Sequence, residues 1–298
     1  MDDLLDELIE LDEQGFVLTP GEQPAAFRES ALRTLEWARG VRDELEHEGQ
    51  VRLFGETFAA EQVVPGELLH QCLEPVRAVY GVSPCWVPAF FSDRLMPVYV
   101  GASTLYETGE EGLRVCLLLR APFRERARWL IYDRDELVSH EACHVARAAL
   151  EQRQFEEVLA YTLSPSALRR TAGGVFNAGW EAPAVLAGGA LVIAGAGLEL
   201  AGVNGLIKLF SAIPLLGVLA FLAGRAVRAK TTVRAARRFL EPVFGSNAPA
   251  VLFRCTDEEI RLLGGAFRRG VAADEWLEAH RETLRWQIIC RRFRAGSG

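Results

Sequence analysis

Histidine is scarce in this 298-residue chain: His47, His70, His140, His144 and His280 are the whole set. One pair among them, His140 and His144, lies four residues apart. Six cysteines (Cys72, Cys85, Cys116, Cys143, Cys255 and Cys290) lack the paired Cys-x-x-Cys spacing of a thiolate metal site, and in a cytoplasmic chain they stay reduced. There is no basic excess of the kind that marks a nucleic-acid partner. The net charge is −7, and residues 1–50 hold fourteen acids against four arginines, which leaves about +3 for the remainder. No signal peptide is visible. The chain begins instead with an acidic amphipathic helix, Asp2 to Leu11. No internal repeat or low-complexity segment stands out beyond an Ala/Gly-rich stretch at 182–224.

Against this background one pentapeptide is prominent. His140-Glu141-Ala142-Cys143-His144 reads HExxH. On a helix, residues four apart stand one above the other, so both imidazoles can face one metal ion, with Glu141 about 100° round the helix and able to reach a water in the ion's open position. The context predicts that helix. Arg128 to Tyr132 is a short bulky run that suits a strand. Asp133 follows as an N-cap, with Asp135 and Glu136 in the first turn, where the helix dipole favours acids. Apolar positions at Leu137, Val138, Val145 and Leu150 carry the pattern to about residue 150. Cys143 lies off the His140/His144 face and reads as a packing residue.

A polar break at Gln152-Arg153-Gln154 precedes a second helical run, Phe155 to Tyr161. A helix returning after so short a turn brings a carboxylate to the two histidines. HExxH followed by an acid on a later helix resembles the gluzincin metallopeptidases. Glu157-Val158-Leu159-Ala160-Tyr161 is similar to the Glu-x-x-Ala-Asp element of HtpX- and CAAX-prenyl-protease-type membrane metalloproteases. The resemblance covers residues 128–165. It implies zinc (Zn2+) as the cofactor, His140, His144 and Glu157 as its ligands with Glu156 as the alternative, and Glu141 as general base and proton donor. Two departures stand out. Tyr161 replaces the usual aspartate, and only twelve residues separate His144 from Glu157. Minimal soluble gluzincins are an equally good comparison. Tyr161 and Arg147 are candidate transition-state helpers, each with a plainer reading: Tyr161 as packing, Arg147 as an ion-pair partner of Glu156 or Glu151.

The second feature is apolar. Ala182 to Val203 carries one charge, Glu199, and Leu206 to Gly224 carries one, Lys208, with the turn signal Asn204-Gly205 between them. Nineteen helical residues span about 28 Å, close to the ~30 Å core of a bilayer. Both charges sit beside the turn. Ala187-Gly188, Ala194-Gly195 and Ala201-Gly202 repeat every seven residues, as do Gly217 and Gly224. Such small-residue stripes let helices pack closely in lipid and offer a face for oligomers. The single Pro214 is tolerable in a membrane helix. Arg169 and Arg170 precede the stretch, and Arg225, Arg228, Lys230, Arg234, Arg237 and Arg238 follow it. This bias predicts a two-span hairpin in the cytoplasmic membrane with both termini and the HExxH site cytoplasmic.

The expected fold is α+β: a mostly helical zincin-like catalytic domain with a small sheet, plus a two-helix transmembrane hairpin. The expected regions are 1–85, helical; 86–175, the catalytic core; 182–224, the hairpin; and 225–298, a cytoplasmic helical region. Helices are expected at 23–48, 60–80 and about 273–292, with a capping box at Thr256–Glu259 opening another. Val98-Tyr99-Val100 and Arg114 to Leu119 are the expected strands of 86–119, one of them a platform for extended substrate, and Val251-Leu252-Phe253 is a further strand. The expected function is hydrolysis of peptide bonds in a protein or peptide substrate. The rival reading is a non-catalytic membrane protein with a structural zinc.

Overall fold

The computed structural model describes residues 2–109, 112–176, 180–202 and 206–294. Helices α1 (Asp2–Glu13) and α2 (Pro24–Glu48) open the chain. The hairpin β1 (Gln50–Leu53)/β2 (Glu56–Ala59) and helix α3 (Gly66–Tyr80) follow. Strands β3 (Ala89–Phe91), β4 (Ala102–Gly109) and β5 (Gly112–Leu119) form a sheet in the order β3-β5-β4. The central strand β5 runs parallel to β3 and antiparallel to β4. Its Val115 to Leu119 run is buried throughout, as a strand covered on both faces requires. That leaves β4 at the edge.

The bulky run before the HExxH helix forms a tight two-stranded turn, β6 (Arg128–Trp129) and β7 (Tyr132–Asp133), and delivers the chain into α4 (Arg134–Arg147). Short helices α5 (Glu156–Thr162) and α6 (Ala167–Ala172) precede two long ones, α7 (Glu181–Leu200) and α8 (Leu206–Phe244). The chain closes with α9 (Ala248–Phe253), α10 (Asp257–Arg269), α11 (Ala273–Glu278) and α12 (Leu284–Phe293). Thr256 and Glu259 make the capping box expected at the start of α10.

Several local expectations are corrected. Val98–Val100 is a turn, not a strand: Pro97 removes a donor and fixes its own φ, the Val100 N–H bonds to the Pro97 carbonyl (2.9 Å), and Val98 is 81% exposed. The strand starts after Gly101, where a Cβ would lie 2.7 Å from Leu137. Val251-Leu252-Phe253 is helical because Pro249 sits in the first turn of α9, where proline starts helices well. The 60–80 helix begins only at Gly66, and the 273–292 helix is broken between Glu278 and Leu284. The Asn204-Gly205 turn lies outside the described residues.

Packing joins distant parts of the chain. One core gathers Leu8 and Leu11 of α1, Leu73 and Val76 of α3, Leu117 and Leu119 of β5, and Val138 and Ala142 of α4, and it includes Phe253 and Ile288 from beyond the hairpin. A second sets Phe155, Val158 and Leu159 against Val233, Ala236 and Leu240 of α8 and Ile260 of α10. Asp12 and Arg254, both buried, form a bidentate ion pair 242 residues apart, and Arg292 joins it. Breaking such a pair costs about 3–5 kcal/mol because one charge is left buried alone.

Helices α7 and α8 form an antiparallel hairpin: Glu181 meets Arg225 at one end, and Gly188 meets Leu215 further along. A Cβ at Gly188 would lie 3.1 Å from the Leu215 Cβ, so glycine sets this approach. Gly188 and Gly195 are buried as the small-residue stripe predicts. Gly217 and Gly224 are not; they face outward, with nothing within 4 Å of a Cβ at either, so they do not build the α7–α8 contact. Both helices are long and apolar enough to cross a membrane. Their large side chains point away from the body, with Leu186 73% and Ile193 75% exposed, so the hairpin is not buried in the chain's own core. The far half of α8, past Ala226, packs back on α10.

Candidate metal centre

Asp133 caps α4 by accepting from the Asp135 and Glu136 N–H groups (3.1 and 3.3 Å), which fixes the frame of the helix and hence of the HExxH face. His140 and His144 then stand one turn apart with their Nε2 atoms 3.2 Å from each other. The chain turns back within a few residues, through Glu151 in the left-handed region (φ 51°), and returns Glu157 to both rings. Its Oε1 lies 3.3 Å from His144 Nε2 and its Oε2 3.4 Å from His140 Nε2. Tetrahedral zinc with bonds of ~2.0–2.1 Å places its ligand atoms about 3.3–3.4 Å apart. Each Glu157 oxygen meets one ring at about that spacing, and the three side chains together could hold a metal ion.

That short return is held from far away. The Asp257 carboxylate at the start of α10 accepts from the Arg153, Gln154 and Phe155 N–H groups (3.2, 2.8 and 3.3 Å), and Gln152 Oε1 accepts from the Asp257 N–H (2.9 Å). No sequence signal marked Asp257 beyond its place beside the capping box.

Glu156 and Glu157 part company. Glu156 Oε2 meets the other ring nitrogen of His144, Nδ1, at 3.1 Å, and its Oε1 accepts from Arg147 Nε at 2.6 Å. A carboxylate on the far nitrogen orients a ligating imidazole and raises its basicity. Arg147, 1% exposed, spends its Nη1 on the Phe253 and Cys255 carbonyls. It is engaged as the ion-pair partner of Glu156. Burial by itself disfavours a charged His144, but Glu156 and Glu157 overcome it and hold the ring's pKa well above its ordinary 6.5. Glu157 is pulled the other way: burial opposes its charge, and hydrogen bonds from His140 and His144 keep its pKa below the usual carboxylate range.

Glu141 faces the edge strand. Thr104 of β4 donates to Glu141 Oε2 at 2.8 Å, a contact the sequence did not suggest because β4 was not read as a strand. Tyr161 lies against His140, ring centroids 4.5 Å apart. Burial and then the charges of Glu157 and Glu141 push its phenol up to about 12, so it stays protonated at neutral pH.

Two cavities flank these residues and share Ala102, His140 and Glu141. One, of about 820 Å³, runs past Thr104, Tyr106 and Asp257 to Arg225 at the hairpin base; the other, of about 630 Å³, is walled by Tyr132, Tyr161 and Leu168. Together they make a cleft with β4 along one wall and the His/His/Glu group at its middle. Comparisons with family models, with curated proteins and with solved structures give no match to this chain.

Proposed function

We propose that the chain is a membrane-anchored zinc metallopeptidase of gluzincin type, with His140, His144 and Glu157 as metal ligands. The observation that carries the reading is the convergence of those three donors, with Glu141 beside them in an open cleft. Bound there, zinc would act as a Lewis acid and bring the pKa of a water in its open position towards ~7. Glu141 would accept the proton of the attacking water and return it to the departing amine, and Thr104 holds its carboxylate for that role. Tyr161, protonated and packed against His140, would donate to the developing oxyanion. Glu156 and Arg147 orient His144 from behind.

Peptide is the substrate class that the edge strand favours. An extended segment adds to β4 through main-chain hydrogen bonds, which brings its carbonyls past Glu141. The open cleft beside the donors also favours a catalytic site over a closed structural one. The apolar exterior of α7 and α8 supports the bilayer as their environment. The basic flanks favour a cytoplasmic site in the inner membrane, and Gly217 and Gly224 on the outer face of α8 offer a surface for self-association. The test is hydrolysis of unfolded proteins or a peptide library by zinc-loaded wild type against zinc-loaded Glu141→Gln, with activity confined to the wild type.

A further inference from the structure

Behind α5, on the far side from the metal centre, lies a separate cavity of about 310 Å³. Its floor is apolar: Tyr80, Val158, Leu159, Val233 and Leu252. Four cations line it, Arg170 from α6 and Lys230, Arg234 and Arg237 from successive turns of α8, and among the described residues no carboxylate does. Carbonyls rather than acids hold the first two: Arg170 Nη1 donates to the Ser164 and Pro165 carbonyls (2.6 and 2.9 Å), and Lys230 Nζ to those of Arg170 (3.1 Å) and Thr171. Glu241 pairs with Arg237 (3.0 Å) from one turn further on. Like charges three and four residues apart on a helix repel, so this face gains from an anion.

Its depth suggests which anion. Lys230 lies six residues past Gly224, the end of the apolar run, or about 9 Å along the helix. The headgroup region adds about 5–8 Å to each side of the hydrocarbon core, so the Lys230 end of the cavity opens at its edge. Free phosphate would use the cations and leave the apolar floor bare. A phospholipid uses both.

We propose that this cavity binds an anionic phospholipid, its phosphate on Arg170, Lys230, Arg234 and Arg237 and its apolar stem over Val158, Val233 and Leu252. The proposal rests on the membrane reading above and is independent of the hydrolytic one. The test is native mass spectrometry of the full chain in detergent, titrated with phosphatidylglycerol, phosphatidylcholine or inorganic phosphate. Phosphatidylglycerol should saturate at about one per chain, at least ~10-fold tighter than phosphatidylcholine, with inorganic phosphate competing poorly. Arg234→Gln/Arg237→Gln, at two exposed positions, should abolish the preference with an unchanged circular dichroism melt. Arg39→Gln/Arg42→Gln, on the exposed face of α2, should keep it. Equal binding of the two lipids, or an undiminished preference in Arg234→Gln/Arg237→Gln, would overturn the proposal. So would inorganic phosphate displacing the lipid at equal concentration, which would mark a free-phosphate site. Carbonate extraction of membranes separates the two readings: release of the chain rejects the spanning hairpin, whereas a resistant chain without lipid preference rejects this cavity alone.

Discussion

Adjacent acids, Glu156 and Glu157, have different jobs in this account, and a pair of isosteric substitutions separates them. Glu157 bridges both histidine Nε2 atoms at 3.3 and 3.4 Å, so Glu157→Gln removes the charged member of the donor set. Glu156 touches only the far nitrogen of His144 (3.1 Å) and Arg147 (2.6 Å). Loss of such a supporting carboxylate costs about 10–100-fold in metal affinity, or roughly 1.4–2.7 kcal/mol. Glu157→Gln should exceed that range. Stability should follow the opposite order. Glu156→Gln leaves buried Arg147 without its countercharge, although the amide oxygen still accepts from it, so the loss should fall near ~1–3 kcal/mol rather than the ~3–5 of a fully broken buried pair. The assay is competition for zinc against a chromophoric chelator, with denaturant melts of the metal-free proteins alongside. If Glu156→Gln lost zinc more severely than Glu157→Gln, the ligand assignment would be reversed. If it lost none, the supporting role would be rejected.

Three further expectations follow from the geometry. Zinc uptake should be pH-dependent, because metal must displace the proton that Glu156 and Glu157 stabilise on His144. A histidine whose folded pKa is raised stabilises the metal-free fold fully below its ordinary value of 6.5 and loses that contribution as pH climbs through the raised value. Zinc affinity should therefore rise over the same window, by at most about tenfold per pH unit, and calorimetry in buffers of different ionisation enthalpy should show proton release; uptake without it would reject a proton held on His144. Thr104→Val should lower kcat about tenfold or more while zinc is retained, since a hydrogen bond to a charged group is worth ~1.5–3 kcal/mol; unchanged kcat would remove Thr104 from the mechanism. Gly188→Leu should lower the melting temperature in detergent because its Cβ meets Leu215 at 3.1 Å, whereas Gly217→Leu meets nothing within its own chain and should leave the melt of the monomer like that of wild type; equal effects on the monomer would contradict the packing of α7 on α8.

What the sequence made legible is short-range chemistry. The helix bearing His140 and His144, its Asp133 cap, the return of Glu157 and the two apolar helices all follow from patterns within about forty residues. Contacts over longer separations carry no such pattern. Asp257 clamps a turn some hundred residues before it, and Arg254 pairs with Asp12 across 242. The β-branched Val98 and Val100 looked like a strand by residue type, but Pro97 made a turn of them, and the true edge strand at 102–109 went unread along with Thr104. Val251 to Phe253 failed likewise, where Pro249 opened a helix. The heptad spacing of Gly217 and Gly224 was real, but it marks an exposed face of α8 and not its contact with α7. Periodicity defines a stripe without saying what covers it.

The central claim is that Glu141 moves a proton beside a metal held by His140, His144 and Glu157. Its most direct test is paired measurement of zinc content and peptide cleavage in wild type and Glu141→Gln. The account predicts about one zinc per chain in both proteins and a 10²–10⁴-fold lower rate in the variant. Equal cleavage by the two, or none by either while both hold zinc, would contradict it.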